Sequence, residues 1–312
     1  MLSLRELSQH DPGTPCEPRD WRRNMSTHFT VSDRSDRSDR PDRPDQSDRR
    51  ITLNDLAELS LRGERWSMIT AYDYMSAGIF EEAGAHALLV GDSAAMVVYG
   101  YDSTIPVTIE ELMPLVRAVV RGSRKPVVIA DLPFGSYQAS ISQAMETSAA
   151  FMKDGGAQAV KLEGGAPILA TVEALSSAGI PVIGHLGLTP QSVHSLGGYR
   201  VQGRGEAGEI LIRDAKALAS AGAKAIVLEA IPAELAARVT DMLDVPTIGI
   251  GAGNATNAQV IVWQDLLGLG ANQPPKFVRQ YAHLRAPIKS AVENWIADVA
   301  SGAFPGPENT YQ

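Results

Sequence analysis

Eight short apolar runs, separated by segments of helical periodicity, fill the chain from residue 67 to about residue 268. That alternation constrains the fold more than any other feature. The runs are 67–71, 86–91, 126–131, 159–163, 181–185, 225–229 and 246–250. The eighth is expected within 260–268, where Trp263, Gln264 and Asp265 interrupt the pattern. Amphipathic stretches at 74–83, 109–120, 141–153, 168–177, 206–221 and 232–242 read as the intervening helices. Thr52 caps a further short helix ahead of the first strand, and C-terminal helices run to about Ser301. A closed parallel (β/α)8 barrel of the TIM type and a doubly wound open sheet both repeat in this way. Polar residues stand at nearly every strand end, which favours closure, because an open sheet gathers its site at one switch point.

The first 50 residues do not join this pattern. From Ser32 to Arg49 the chain reads SDR, SDR, SDR, PDR, PDQ, SDR, with no apolar side chain to offset the entropy of folding. Residues 1–50 are therefore expected to be a disordered low-complexity tail, and 51–312 a single catalytic domain. The tail holds 10 acidic and 10 basic residues, so the other 26 acids and 18 bases carry the whole net charge of −8. An acidic body without a basic stripe argues against a nucleic-acid partner. No apolar run approaches the roughly 18 to 20 residues of a membrane span, and the start lacks a signal-peptide core. The lone Cys16 excludes an intrachain disulfide and a cysteine metal cluster, and points to a reducing compartment.

The chemistry is expected where the strands stop. Leu88-Leu89-Val90 leads into Gly91, Asp92 and Ser93; later strands end on Asp131, on Lys161 and Glu163, on His185 and on Glu229. Taken alone, Asp92 and Ser93 are as good a helix cap as a site. Three acids, Asp92, Asp131 and Glu163, on consecutive strands change that reading. Neighbouring strands are about 5 Å apart, so these acids would repel one another unless a cation joined them. An oxygen-only set without cysteine suits Mg2+, and the scarcity of histidine argues against zinc. Period-two alternation puts Lys161 and Glu163 on one face and turns Leu162 toward the helices. Lys161 is either a partner for Glu163 or a cation for a substrate carboxylate. Glu229, across the barrel mouth, is placed to be a general base or a helix cap. His185 is placed to bind substrate or orient a carboxylate. The glycine-rich Gly249-Ile250-Gly251-Ala252-Gly253 reads as a loop that holds a phosphate or lets substrate approach backbone. Together these groups suit carbanion chemistry beside the carbonyl of a 2-oxo acid.

Several segments, in order, carry a family resemblance: TAYD from Thr70, VGDS from Val90, DST from Asp102, ADLPF from Ala130, KLEGG from Lys161, GHLGLTPQS from Gly184, VQGR from Val201 and GIGAG from Gly249. Across about residues 52–308 the chain resembles the ketopantoate (3-methyl-2-oxobutanoate) hydroxymethyltransferases. The resemblance implies a cytoplasmic, Mg2+-dependent barrel that assembles as a homodecamer, a pentamer of dimers. Its expected reaction moves a one-carbon unit from 5,10-methylenetetrahydrofolate, as co-substrate, to 3-methyl-2-oxobutanoate, giving 2-dehydropantoate. By position, Asp92, Asp131 and Glu163 match the family's metal-site acids, and Glu229 its proton acceptor. Ser93 and Lys161 match residues that hold the oxo acid, which Asp92 and Asp131 also approach; His185 is expected beside it.

The departures are Ala94-Ala95 where the family has Leu-Gly, Tyr101 where it often has His, and the segment 271–277. An isocitrate lyase-like carbon–carbon lyase would share the barrel, the metal and a 2-oxo acid. That class uses a loop cysteine as acid, and Cys16 lies in the tail.

Overall fold

Every side chain of β2 (Ala87–Val90) is buried, as a strand must be when one face meets a barrel interior and the other a ring of helices. The computed structural model describes residues 49–311. Eight parallel strands close in sequence order, β1 (Trp66–Thr70) pairing with both β2 and β8 (Ala258–Ile261). Between them lie β3 (Val127–Asp131), β4 (Ala159–Glu163), β5 (Val182–Gly187), β6 (Ala225–Glu229) and β7 (Thr247–Ile250). The closed barrel replaces the open-sheet alternative.

Two cores follow from strand parity. Ala87, Leu89, Val127, Ile129, Ala159, Ile183, Ala225, Val227 and Ile248 fill the interior, with Leu56 and Trp66 at its base. Leu56 lies on α1 (Leu53–Leu61), whose Thr52 forms a capping box with Asp55. The alternate residues, such as Leu88, Val128, Val160, Leu162 and Ile226, face the helices. These are α2 (Tyr74–Glu82), α4 (Ile109–Gly122), α5 (Ile141–Lys153), α6 (Leu169–Ser177), α7 (Glu206–Ser220) and α8 (Ala233–Met242); a short α3 (Ala94–Val97) follows β2. The inward parity of 127–129, 159, 183 and 225–227 continues to Asp131, Lys161, Glu163, His185 and Glu229. Those side chains are therefore carried to the interior at the C-terminal mouth.

The eighth strand lies earlier than expected. It is Ala258–Ile261, with Ala258 and Val260 inward and Gln259 exposed. Trp263, Gln264 and Asp265, which broke the sequence pattern, belong to the short helix α9 (Trp263–Leu266). The C-terminal extension is a loop followed by one long helix, α10 (Arg285–Ser301), with no buried residue.

The low-complexity stretch lies outside the described residues except at its end. There Arg49 pairs with Asp55 at 2.6 Å, and Arg50 donates to the carbonyls of Pro126 and Ser123. Cys16 also lies outside the described residues. Among the described residues, no helix is long and apolar enough to cross a membrane.

Ala94 and Ala95 are fully buried inside the helical turn of α3, a conformation that favours alanine over glycine. Tyr101 stacks on Tyr99 and donates its hydroxyl to Glu111, which caps α4. These two of the three departures from the family pattern thus have a local structural role.

Candidate active site

The polar strand ends converge on one cavity of about 490 Å3, lined by Asp92, Ser93, Asp131, Lys161, Glu163, His185 and Glu229. All seven residues singled out from sequence therefore meet in one place.

Asp92 is not a helix cap. Ser93 occupies the cap position of α3 and makes no capping bond with its side chain. The Asp92 backbone N–H instead donates to Asp131 Oδ2 at 2.9 Å. Gly91 makes this approach possible, since a Cβ there would sit 2.8 Å from Ser93 Oγ and 3.4 Å from Asp131 Oδ2. Ser93 Oγ is held at 2.8 Å by the hydroxyl of Tyr72, a buried residue just beyond β1.

Lys161 pairs with Asp131, Nζ to Oδ1 at 3.0 Å, rather than with Glu163 as its own strand neighbour. Its ammonium also lies 3.2 Å from His185 Nδ1. His185 stands between two carboxylates: Nδ1 is 3.3 Å from Glu163 Oε1, and Nε2 is 3.2 Å from Glu229 Oε2. These contacts are ionic more than directional, because Asp131 Oδ1, Glu163 Oε1 and His185 Nε2 make no aligned hydrogen bond. Directly after Glu229, Ala230 adopts a left-handed φ of 47°. Such backbone costs an alanine about 1–2 kcal/mol; here it turns the chain at the base of the cavity.

Burial, and then the charges of Asp131 and Glu163, lift the Asp92 carboxyl well above the usual carboxylate range. Burial also raises Asp131, against the opposing pull of Lys161. Glu163 is buried too, yet His185 and Lys161 outweigh that cost and hold it below its ordinary value. Burial disfavours the Lys161 ammonium, but Asp131, Glu163 and Asp92 override it and keep it charged. Burial and Lys161 push the His185 imidazole down; Glu163 and Glu229 reverse this and lift it to about 9.

The residues fit a divalent cation on three counts. Asp131 Oδ1 and Glu163 Oε1 are buried without an aligned donor. Asp92 and Asp131 are driven toward protonation by crowding, the condition a cation relieves. Four acids, Asp92, Asp131, Glu163 and Glu229, outnumber the two basic groups that face them, Lys161 and His185. Among the described residues, no three His, Cys, Asp or Glu side chains form a ready-made cage.

Gln191 was missed from sequence. Its Nε2 donates to Asp92 Oδ2 and to the Leu132 carbonyl, both at 2.9 Å, while its own N–H donates to Glu163 Oε2 at 3.0 Å. Tyr137 in turn donates to Gln191 Oε1 at 2.8 Å. The only sequence signal for these supports was membership of the GHLGLTPQS, TAYD and ADLPF neighbourhoods. The glycine-rich loop after β7 is not an open phosphate cradle. Phe277 packs at Gly251, Ala233 at Gly253, and Gln259 donates to the Gly253 carbonyl.

A model of the ketopantoate hydroxymethyltransferase family matches residues 50–307. The 3-methyl-2-oxobutanoate hydroxymethyltransferase of Frankia alni is 60 % identical over 262 residues, 84 % of this chain and 86 % of that protein. The protein of the same name from Thermobifida fusca is 58 % identical over 264 residues, covering 84 % and 94 % of the two chains. Among solved structures, a phosphonopyruvate hydrolase in complex with oxalate and Mg2+ aligns with a TM-score of 0.55 at 14 % identity, covering 83 % of this chain and 93 % of that one. A 2,3-dimethylmalate lyase of the PEP mutase/isocitrate lyase superfamily aligns at 0.52 with 18 % identity, covering 81 % and 89 %. At such identities these structures share the fold alone.

Proposed function

The chain belongs to the ketopantoate hydroxymethyltransferase family, and from that premise we propose the reaction and the role of each group in the cavity. The protein is an enzyme that transfers a hydroxymethyl group to C3 of 3-methyl-2-oxobutanoate, giving 2-dehydropantoate. The one-carbon donor is 5,10-methylenetetrahydrofolate. Asp92, Asp131 and Glu163 would hold Mg2+, and when bound it would supply positive charge opposite the carboxylate and keto oxygens of the oxo acid.

Lys161 and Ser93 hold the oxo acid, the first by charge and the second through a hydroxyl fixed by Tyr72. Glu229 accepts the proton from C3, which leaves the electron pair to form the new carbon–carbon bond. Water supplies the hydroxyl oxygen, and tetrahydrofolate leaves. His185 binds beside the substrate and holds Glu229 in place through its imidazole. The surrounding apolar wall, including Leu89, Val227 and Val260, keeps bulk water from the carbanion.

One observation supports this division of labour most directly. Glu229 reaches into the same cavity as the Asp92–Asp131–Lys161 group, yet its recorded ionic partner is His185. A carboxylate set apart from the cation site remains free to take a proton.

We assign the working form to a cytoplasmic homodecamer, as the family resemblance implies. Apolar residues left exposed along one side of α10, among them Ile288, Val292, Trp295 and Val299, support burial against another copy.

The test is conversion of 3-methyl-2-oxobutanoate and methylenetetrahydrofolate to 2-dehydropantoate by the full chain, with and without Mg2+. Formation of product only with both substrates and the metal is expected. No product, together with cleavage of 2-methylisocitrate, would transfer the assignment to the lyase class.

A further inference from the structure

The cavity is larger than a five-carbon oxo acid requires, and its far side differs from the charged floor. Val262, Ile250, Pro275 and Phe277 make that wall mostly apolar, Lys276 lines it as well, and Gly251 lets the Phe277 ring pack against the β7 loop. One acid, Asp265 of α9, stands among them. It lines the cavity and is partly buried. Among the described residues, no cation pairs with it and no side chain or backbone group donates to its carboxylate. The floor acids have Lys161, His185 or Gln191; Asp265 has nothing comparable. Burial pushes its carboxyl up, with no neighbouring charge to offset it. A partly buried carboxylate beside apolar side chains gains from a ligand that brings donors to it.

Resting on the function proposed above, we propose that Asp265 is the specificity residue for the folate co-substrate, its two oxygens accepting from the ring N–H and exocyclic amino group of the reduced pterin. The pterin edge offers two parallel donors at the spacing of a carboxylate, and its flat ring suits the apolar slot. Asp265 thereby acts in binding and orientation. It makes no contact with the oxo acid and takes no part in removing the C3 proton. The donor pair also discriminates: an analogue in which the lactam N–H is replaced by an acceptor loses one bond and faces a lone pair.

The experiment compares wild type, Asp265→Asn and Asp265→Glu with methylenetetrahydrofolate and 3-methyl-2-oxobutanoate as varied substrates, and measures folate-free C3 deuterium exchange alongside. For Asp265→Asn the KM for methylenetetrahydrofolate should rise by about tenfold to a hundredfold, the loss expected for a charge-assisted pair. The KM for the oxo acid and the exchange rate should stay within about twofold, while Asp265→Glu, which keeps both acceptors, should recover part of the folate affinity. An unchanged folate KM in Asp265→Asn would overturn the assignment. Parallel loss of exchange and oxo-acid affinity would also overturn it, by showing a structural role. Absence of transfer and exchange in the wild type is a different result, and would count against the proposed function itself.

Discussion

His185 Nε2 stands 3.2 Å from Glu229 Oε2, and the same ring reaches Glu163 with its other nitrogen at 3.3 Å. One imidazole thus joins an acid of the proposed cation site to the acid proposed as base. The register explains how: Glu163 lies opposite His185 across β4 and β5, and Gly187 lies opposite Glu229 across β5 and β6.

The pH dependence of stability follows from this contact. His185 titrates at about 9 in the folded protein, against an ordinary value of 6.5. Its folded-state value is raised, so the stabilisation is fully present below pH 6.5 and is lost as pH rises through 9. Without added Mg2+, the melting temperature of wild type minus that of His185→Gln should fall between pH 6 and pH 9.5. A difference that stays flat or grows over that range would contradict the assignment of an imidazolium.

Gln191 ties the acids together from behind. Replacing it with leucine removes the donors to Asp92 Oδ2 and the Leu132 carbonyl and the acceptor for Tyr137, while the backbone N–H to Glu163 Oε2 stays. Supports of this kind typically govern metal affinity by about 10–100-fold. Gln191→Leu should therefore need roughly that much more Mg2+ for half-maximal C3 exchange, with a smaller loss at saturating metal. Identical Mg2+ curves would show that Gln191 does not position Asp92.

Lys161 neutralises buried charge. Removing one partner of a buried pair costs about 3–5 kcal/mol, because the other charge is stranded. Lys161→Met leaves Asp131 without its 3.0 Å partner, beside Asp92 and Glu163. Urea denaturation should show a loss of that order, and Mg2+ should restore more stability to the variant than it adds to wild type. A variant as stable as wild type without metal would mean that the floor acids are already protonated.

Much of this site was legible in the chain because parity in a buried strand is unforgiving. Once Ala159 faces the interior, Lys161 and Glu163 must follow it, and Leu162 must face the helices. Asp92 was legible only in company, since its strand end resembles a cap until Asp131 is placed beside it. Gln191 was not legible, being 28 residues from Glu163 and 99 from Asp92; only closure of the barrel brings them into contact. Strand β8 was misplaced because its four residues include the exposed Gln259, while the more apolar-looking segment beyond it coils into α9. The packing of the glycine-rich loop was hidden for a similar reason. Its glycines make room for Phe277 and Ala233, neighbours that sequence spacing does not reveal.

The central claim is that Glu229 removes the C3 proton, and deuterium exchange at C3 of 3-methyl-2-oxobutanoate in the presence of Mg2+, without folate, tests it most directly. Wild type should exchange. Glu229→Gln should exchange at least about 100-fold more slowly, in line with loss of a general base, while binding the oxo acid with affinity within a few-fold of wild type. Exchange at the wild-type rate in Glu229→Gln would contradict the account and move the base to another group in the cavity.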